Sequence, residues 1–476
     1  MATSPSRSCA CPTIRMLREN ARRAARLLVW LCCAGAVAAQ SASGPAAEGL
    51  PPVHGWTPER DVWSRMPRSV EPALRIPAVP PGEFAQRRVA LAAALGGPCA
   101  VWIPARAFEE LDPFFQSDDF YYLSGVEVPD IALLLVIGAD GSLADECLFL
   151  PPEDPRFELW NGDRLAPGPE SAAATGFRRT AALPGSSGEA PADWPAALAA
   201  VDVPRVCVLE APDWSLPEGR QLDVADEHDS GGLRGRLSAL RLRKSTYEIE
   251  CLTAAIDVTC AGLRNALTEV RPGAFEFAPQ GALEGTFLRL GAERPGFASI
   301  FGSGPNSVTL HYNSNRRRME EGDLLVMDVG AKLRYYCADV TRTVPVNGRY
   351  SERQREVYNL VLAAQTAAAE AARPGVTIKD LDDVARKVIE DAGYERRHFP
   401  HSVGHWIGLD VHDVGGKVPI EEGCLFTIEP GIYIAEEHLG VRIEDDYLMT
   451  ATGAVKLSVG MPSDPEAIEA LMAGIE

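Results

Sequence analysis

Apolar positions in the first half of this 476-residue chain predict an α/β domain spanning residues 83–235. Ala85–Leu95 has helical spacing, and the segments CAVWIP, IALLLVIG, CLFLPP and RVCVLEA have the continuous apolar character of buried strands. The segment from Arg178 to Ala192 breaks into Pro, Gly and Ser and is expected to be a surface loop. About 140 residues of this kind are an ordinary size for one domain.

From residue 241 to residue 470 the pattern changes to long helices followed by apolar strands. Ser245 with Glu248, and Ser351 with Gln354, have the spacing of capping boxes and predict two helix starts. Apolar residues at helical spacing give the first helix one core face. We expect an α+β domain in which the helices back a curved, mainly antiparallel sheet with the functional site on its open face.

Two carboxylates stand where a strand normally buries apolar side chains. Asp328 interrupts the apolar run LLVMDV, and Asp339 precedes the β-branched run Val340–Val344. If these strands fold back on each other about Leu333 and Arg334, the two carboxylates lie opposite one another on one face. Like charges so close repel, so the arrangement requires protons or a cation between them.

The same pattern occurs again at an offset of 101 residues, where EEGDLLVMDVG recurs as EEGCLFTIEPG. Glu429 is the counterpart of Asp328 at this offset, and Glu444 is the counterpart of Asp339, four residues later than the offset gives. Folding back of the second strand pair places Glu429 opposite Glu444. The second domain is therefore predicted to contain an internal pseudo-twofold repeat in which each half contributes two acids.

Histidines accompany these acids. His401, His405 and His412 lie in the Gly-interrupted segment PHSVGHWIGLDVHDVG, which is not expected to be a regular helix, and His311 is the repeat counterpart of His412. A lone histidine in such a segment is usually a core residue, and a single acid is usually part of a surface ion pair or a charge at a strand edge. Four acids at matching places in two half-repeats, with three histidines nearby, instead favour a metal site.

Four carboxylates and one imidazole form an oxygen-rich ligand set with room for two divalent ions. Hard oxygen ligands favour Mn, Mg or Ca, and imidazole shifts the preference toward Mn, Co, Fe or Zn. Two ions about 3.5 to 4 Å apart would deprotonate a bridging water near neutral pH and polarise a carbonyl. The residues alone therefore predict metal-assisted hydrolysis.

Residues 1–39 have the features of a secretory signal. Five arginines from Arg15 to Arg26 precede the apolar segment Leu27–Ala39, and cleavage is expected before Gln40. The apolar segment is shorter than the roughly 20 residues that span a bilayer, with an uncleaved anchor as the alternative. Residues 40–82 are rich in Pro, Gly and Ala and are expected to form an extension. The protein is thus expected in the periplasm or secreted, with no membrane contact after cleavage.

The net charge of the chain limits the class of macromolecule that it can bind. The formal net charge is −20, and loss of residues 1–39, with six Arg and one Glu, would make it −25. Such an acidic surface does not suit nucleic acid.

Four of the eleven cysteines lie in residues 1–39, and the remaining seven show no CxxC or zinc-finger spacing. We interpret most of these seven as small buried apolar residues.

Five motifs resemble the characteristic blocks of the pita-bread metallopeptidases, namely HYNSNRR, MDVGAKLRYYCADVTRT, HSVGHWIGLDVHD, TIEPGIY and VRIEDD. As a set they are similar to the Xaa-Pro aminopeptidase (aminopeptidase P) family. The segments EFAQRR, QSDDFYYLSGVEVPDIALLLV and LFLPPEDPRFELWNGDRLAP resemble the creatinase-like N-terminal domain of the same enzymes. The resemblance implies a creatinase-like α/β domain followed by a pita-bread catalytic domain.

The resemblance also implies a dinuclear metal site, most commonly of manganese, with Co, Fe or Zn as alternatives. Its ligands would be Asp328, Asp339, His405, Glu429 and Glu444, and Asp339 and Glu444 would bridge the two ions. All five positions carry the residue type that the family pattern requires. This complete set disfavours creatinase, which uses the fold without metal, and the large N-terminal domain disfavours methionine aminopeptidase.

The resemblance also implies a second role for the ligand Glu429, which would help to activate the bridging hydroxide, and roles for four further side chains. His311 and His412 would move protons and stabilise the tetrahedral intermediate. His401 would line the pocket for a proline ring, and Arg442 would orient Glu444 and neighbouring acids.

The implied activity is hydrolysis of the Xaa-Pro bond at the N-terminus of peptides with proline in second position, by a homo-oligomer such as a dimer or tetramer. A dipeptidase restricted to Xaa-Pro dipeptides is the nearest enzymatic alternative. A catalytically inactive peptide-binding homologue is the alternative of a different class, and the complete ligand set disfavours it.

Overall fold

The computed structural model describes residues 77–108, 113–183, 198, 201–212, 216, 219–226 and 229–474. The predicted signal segment and most of the predicted extension, residues 1–76, lie outside these residues. None of the helices in the described ranges is both long enough and apolar enough to cross a membrane.

The first half of the described chain is built around a six-stranded sheet. Its elements are α1 (Glu83–Leu95), β1 (Cys99–Pro104), α2 (Asp118–Ser124), β2 (Ala132–Ile137), β3 (Leu143–Leu150), α3 (Pro155–Asn161), α4 (Pro169–Thr175), β4 (Arg179–Ala182), β5 (Arg205–Val208) and β6 (Gln221–Val224). The strand order is β4-β3-β2-β1-β5-β6. The pairs β1-β2 and β2-β3 are antiparallel, and the pairs β3-β4, β1-β5 and β5-β6 are parallel. The predicted α/β layer is confirmed.

Both faces of this sheet are buried, which explains the continuous apolar runs. Cys99, Val101 and Ile103 of β1 pack into one core cluster, and the alternate residues Ala100 and Trp102 pack into another. The predicted loop from residue 178 to 192 was wrong at its start, because β4 pairs with β3. β4 and β6 are short edge strands that are half-exposed, so they lack an apolar pattern.

In the second half, helices lie against small antiparallel sheets. The helices are α5 (Leu233–Leu242), α6 (Thr246–Ala266), α7 (Phe277–Arg289), α8 (Glu352–Ala371), α9 (Ile378–Asp391) and α10 (Pro465–Ala473). The strands are β7 (Arg294–Pro295), β8 (Ile300–Ser303), β9 (Leu324–Val329), β10 (Ala331–Leu333), β11 (Tyr336–Cys337), β12 (Val340–Pro345), β13 (Leu425–Ile428), β14 (Gly431–Ile434), β15 (Leu439–Arg442), β16 (Asp445–Thr450) and β17 (Gly453–Lys456). Strand orders are β11-β10-β7, β12-β9-β8, β13-β16-β17 and β14-β15.

The order of elements repeats as the sequence predicted. α6 and α8 both begin with a complete capping box, at Ser245 and Ser351. α7 and α9 follow them and start 101 residues apart, as do the later strands β9 and β13, whereas α6 and α8 start 106 residues apart. All seven cysteines in the described ranges are buried and free of disulfides, which confirms their interpretation as core residues.

The second acid-bearing strand pair has the predicted register. β13 pairs with β16 and β14 pairs with β15 such that Glu429 and Glu444 occupy opposite positions between the two ladders. Two acids from one half-repeat are therefore brought side by side.

The first acid-bearing pair is shifted by two residues from its predicted register. Asp328 faces Thr341 rather than Asp339, because the hairpin turns at Arg334 and Tyr335. Both turn residues have positive φ, at 51° and 70°, as a two-residue hairpin turn requires. Neither is Gly or Asn, the residue types from which such a turn is normally predicted. Since the shift is an even number of residues, Asp339 stays on the face of Asp328, one diagonal position away.

Candidate metal centre

All nine side chains proposed from the sequence line one cavity of about 640 Å³. They are His311, Asp328, Asp339, His401, His405, His412, Glu429, Arg442 and Glu444. The acids come from the ends of strands in both half-repeats, and three histidines come from the irregular segment between α9 and β13. The antiparallel sheets thus position the carboxylates, while a loop supplies the imidazoles.

The donor atoms converge on His405. Its Nε2 lies 3.4 Å from Asp339 Oδ2, 3.5 Å from Glu429 Oε1 and 4.0 Å from Glu444 Oε1. One donor atom each from Asp339, His405 and Glu444 lie within 4.8 Å of one another. Ligands bound about 2.0 to 2.2 Å from one ion are necessarily this close together, so the spacing fits a cation.

His405 is oriented as a metal ligand would be. Its Nδ1 lies 3.0 Å from the carbonyl oxygen of Trp406, which can only accept, so Nδ1 carries the proton and Nε2 faces the acids with a lone pair. Burial lowers the pKa of His405 to about 4, which keeps the ring neutral at physiological pH.

The carboxylates of the site can all be ionised at the same time only if a cation compensates their charge. Burial, followed by repulsion from neighbouring acids, holds the pKa values of Asp339 and Glu444 well above their ordinary range, and burial raises the pKa of Glu429 to about 8. Among the described residues, Oδ1 of Asp328 and Oδ1 of Asp339 are buried without a hydrogen-bond partner. Buried polar atoms normally have one, so bound divalent ions fit this donor set.

Neighbouring polar groups hold the acids in place. Thr341 Oγ1 donates to Glu444 Oε2 at 2.7 Å, and the backbone N–H of Asp339 donates to Asp446 Oδ2 at 3.1 Å. Such partners fix the direction in which a carboxylate presents its free oxygen. The sequence analysis assigned no role to Thr341 or Asp446. Thr341 looks like any strand residue, but Asp446 is a further acid in VRIEDD and could have been noticed.

Arg442 contacts Asp328 directly, with Nη2 2.5 Å from Oδ2. Its Nε donates to Thr341 Oγ1 at 3.3 Å, so the hydrogen bonds between Arg442 and Glu444 run through Thr341. Its Nη1 donates to the hydroxyl of Tyr433 at 2.9 Å. Tyr433 also received no role from the sequence, because an aromatic residue in a strand is an ordinary core residue.

His401 lies at the end of this chain of hydrogen bonds. Its Nδ1 faces the carbonyl of Ser402 at 2.8 Å, so its Nε2 accepts from the Tyr433 hydroxyl at 2.9 Å. Burial, with the charge of Arg442, lowers the pKa of His401 to about 3. The ring is therefore neutral, and Nδ1 is 3.6 Å from Glu429 Oε2.

His412 and His311 line the cavity without joining the donor cluster. The His412 ring packs edge to face on His405, with ring centroids 4.4 Å apart and an interplanar angle of 80°. His311 is exposed on the cavity wall. This placement separates one histidine among the donors from two that face the space a substrate would occupy.

Comparison with known proteins agrees with this architecture. Residues 250–451 match the model of metallopeptidase family M24, and residues 84–183 match that of the aminopeptidase P N-terminal domain. The chain is 33% identical over 439 residues to the Xaa-Pro aminopeptidase of Haemophilus influenzae, covering 83% of this chain and 98% of that protein. The Escherichia coli Xaa-Pro aminopeptidase is 32% identical over 438 residues, covering 82% and 97%.

Two further comparisons concern length and structure. The Xaa-Pro dipeptidase of Pyrococcus furiosus is 41% identical, but over 224 residues that cover 46% of this chain and 64% of that protein. The solved structure of proline aminopeptidase P II from Yersinia pestis has a TM-score of 0.72 at 30% identity, covering 83% of this chain and 100% of that one.

The chain therefore belongs to metallopeptidase family M24, with the pita-bread catalytic domain that the sequence predicted. Within it the chain is a metallo-aminopeptidase, a hydrolase that combines this domain with an N-terminal domain of the aminopeptidase P type and uses divalent metal ions.

Proposed function

We propose that this enzyme removes the N-terminal residue from peptides whose second residue is proline, with two divalent ions bound per chain. The observation that carries the proposal is the convergence of four carboxylates, three of them buried and Glu429 half-buried, with the lone pair of His405 in one cavity. Similarity to enzymes named Xaa-Pro aminopeptidase over more than four-fifths of the chain supports the substrate class.

The ions would be held by Asp328, Asp339, His405, Glu429 and Glu444. Asp339 and Glu444 are the bridging candidates, because their oxygens share the donor cluster with His405 while coming from different half-repeats. When bound, the ions lower the pKa of a water molecule and polarise the scissile carbonyl. Oxygen donors with one imidazole make manganese the first candidate, with Co, Fe or Zn possible.

Protein side chains would supply the proton transfers and the shape of the site. Glu429 would accept a proton from the attacking water, because its Oε1 lies 3.5 Å from His405 Nε2, among the ligands that would hold the ions. His311 and His412 face the substrate space, where N–H donors stabilise the oxyanion of a tetrahedral intermediate.

The pocket for proline would combine an aromatic and aliphatic wall with an uncharged imidazole. Phe297, Ile300 and Leu310 line the same cavity as His401. The hydrogen bonds from Arg442 through Tyr433 hold the His401 ring in one orientation. An apolar ring such as that of proline suits this wall better than a charged side chain does.

A dipeptidase is the second candidate, favoured by the high identity to the Pyrococcus enzyme. That similarity covers less than half of this chain, whereas the aminopeptidase relatives also match the N-terminal domain. The test compares hydrolysis of an Xaa-Pro-Yaa tripeptide with that of an Xaa-Pro dipeptide by the purified enzyme. We expect kcat/KM to be at least about tenfold higher for the tripeptide.

The opposite ratio would favour the dipeptidase. Failure to hydrolyse either peptide, with two ions bound, would favour the inactive peptide-binding homologue. Export to the periplasm or beyond, and assembly as a dimer or tetramer, are parts of the proposal that rest on the sequence alone.

A further inference from the structure

Glu276, the residue immediately before α7, is a fully buried carboxylate with five hydrogen-bond donors. Oε1 accepts from Ser303 N at 2.8 Å, from Ser303 Oγ at 2.7 Å and from Asn306 Nδ2 at 3.1 Å. Oε2 accepts from Tyr312 Oη at 2.8 Å and from Arg317 N at 2.8 Å. Five donors therefore satisfy both oxygens of this buried side chain.

All five donors belong to one segment, residues 303–317, which we call the His311 segment. Beyond Ser303, the last residue of β8, and the short 3-10 helix Gly304–Val308, none of its residues lies in a helix or strand, so its backbone has few regular hydrogen bonds of its own. A buried side chain with several acceptor sites can replace them as the organiser of such a segment. Glu276 accepts hydrogen bonds from Ser303 and Arg317, at the two ends of the segment, and from Tyr312, the residue next to His311.

The His311 segment is also held from the side of the metal centre. Arg442 Nη2 donates to the carbonyl oxygen of Leu310 at 3.3 Å, and the same nitrogen contacts Asp328 at 2.5 Å. His311 thus lies between two anchored neighbours, Leu310 on Arg442 and Tyr312 on Glu276. Its position relative to the ligands is set by both anchors.

We infer that Glu276 is a positioning residue that fixes His311 against the metal centre, an inference that rests on the proposed role of His311. Among the hydrogen bonds of the described residues, none joins Glu276 to a candidate metal ligand. Its effect on catalysis therefore runs through the His311 segment rather than through the ions.

A carboxylate is required at this position because each of its oxygens faces a backbone N–H. Ser303 N points at Oε1 and Arg317 N points at Oε2. Glutamine in either orientation would direct its NH2 group at one of these two backbone N–H groups, and that N–H would lose its acceptor. Glu276→Gln is nearly isosteric, so it changes the hydrogen bonds while keeping the volume.

The first experiment compares Glu276→Gln with Glu146→Gln. Glu146, in the N-terminal sheet, is a buried carboxylate of similar kind, which accepts from Arg88 Nε at 2.7 Å and from Arg178 N at 3.2 Å. Bound Mn²⁺ per chain, Tm and kcat/KM for Xaa-Pro-Yaa are measured on each manganese-loaded protein. We expect both variants to lower Tm and keep their metal, and only Glu276→Gln to lower kcat/KM, by about 10- to 100-fold.

The second experiment places Glu276→Gln in a His311→Ala background. If Glu276 acts by positioning His311, it lowers kcat/KM there by less than about twofold. Full additivity of the two losses would overturn the inference. A kcat/KM that drops in His311→Ala but not in Glu276→Gln would also overturn it, whereas an unaffected His311→Ala enzyme would instead contradict the proposed role of His311.

Tyr312→Phe provides a test that does not depend on the folding of Glu276→Gln. It removes only the hydroxyl that links the carboxylate to the neighbour of His311. We expect a small decrease in Tm, because one hydrogen bond to a buried carboxylate is lost, an unchanged metal content, and kcat/KM lowered by about three- to tenfold. A kcat/KM equal to that of the wild type would overturn the inference.

Discussion

Thr341 and Glu444 exchange both of their backbone hydrogen bonds, at 3.3 and 3.2 Å, although they belong to different half-repeats. The Thr341 hydroxyl adds a third bond to Glu444 Oε2. On its other side, Thr341 faces Asp328 across the β9-β12 pair. The two halves of the catalytic domain are therefore joined at the candidate metal centre itself, so ligands from both are fixed relative to one another.

The first prediction tests this junction. Thr341→Val keeps the shape of the side chain but removes the hydroxyl that orients Glu444, so metal affinity should drop by about 10- to 100-fold. Titration of metal-free protein with Mn²⁺ measures it. Thr259→Val is the matched control, since Thr259 is equally buried and its hydroxyl accepts from Ala331 N at 2.9 Å, away from the acids. Equal losses of affinity in both variants would contradict a specific role for Thr341.

The second prediction concerns a bridging candidate. Asp339→Asn should abolish activity and lower the metal content, because an amide neither bridges two cations nor supplies the negative charge they need. Elemental analysis and a peptide assay on the same preparation check both effects. Two ions per chain with near-normal turnover would show that Asp339 is not a ligand.

The third prediction separates the histidines. His405→Ala should lose at least one ion together with turnover, because its Nε2 belongs to the donor cluster. His412→Ala should keep its metal and lose about 10²- to 10³-fold in kcat and kcat/KM together, as expected for a contact made mainly in the transition state. A His412→Ala protein that loses metal as His405→Ala does, or that loses only thermal stability, would refute this division.

How far these roles could be predicted depends on how each residue stands out from its surroundings. Asp328 and Glu429 can be identified as candidates from the sequence, because burying a charge inside an apolar strand is costly unless the charge has a partner. Thr341 and Tyr433 were not, because β-branched and aromatic residues are what strands normally contain. Only the structure shows that they hold Glu444 and His401.

Turn chemistry limited the prediction of the fold in a similar way. The register around Glu429 was predicted correctly, but that around Asp328 was shifted by two residues, since Arg334 and Tyr335 adopt positive φ without a Gly or Asn. The face of Asp339 was nevertheless right, because only an odd shift would move it to the other side of the sheet.

The fourth prediction is a pH dependence of stability at Asp413. Its oxygens lie 2.6 Å from Arg241 Nη2 and 3.2 Å from Lys244 Nζ. Burial would raise its pKa, but these two cations hold the pKa of Asp413 below its ordinary value. A carboxylate of this kind contributes stability above its unfolded pKa of about 3.9, and the contribution is lost as the pH falls through the lower folded value.

Asp413→Asn should therefore lower the free energy of unfolding at pH 7 by about 3 to 5 kcal/mol, because buried Lys244 loses its carboxylate partner and buried Arg241 keeps only Asp118 and Asp119. The difference from wild type should shrink as the pH falls below about 4. Urea denaturation across this range measures it, and Asp383→Asn, which breaks an exposed ion pair with Lys379, should change little. A difference that stays constant from pH 7 to pH 3 would contradict the lowered pKa.

The most direct test of the metal centre is a titration of metal-free enzyme with Mn²⁺, in which bound ions per chain and hydrolysis of an Xaa-Pro-Yaa tripeptide are followed together. We predict that two ions bind per chain, that hydrolysis appears only as the site fills, and that Tm rises because the buried carboxylates gain their counter-charge. Full hydrolytic activity in protein shown to contain no divalent metal would contradict the proposed site.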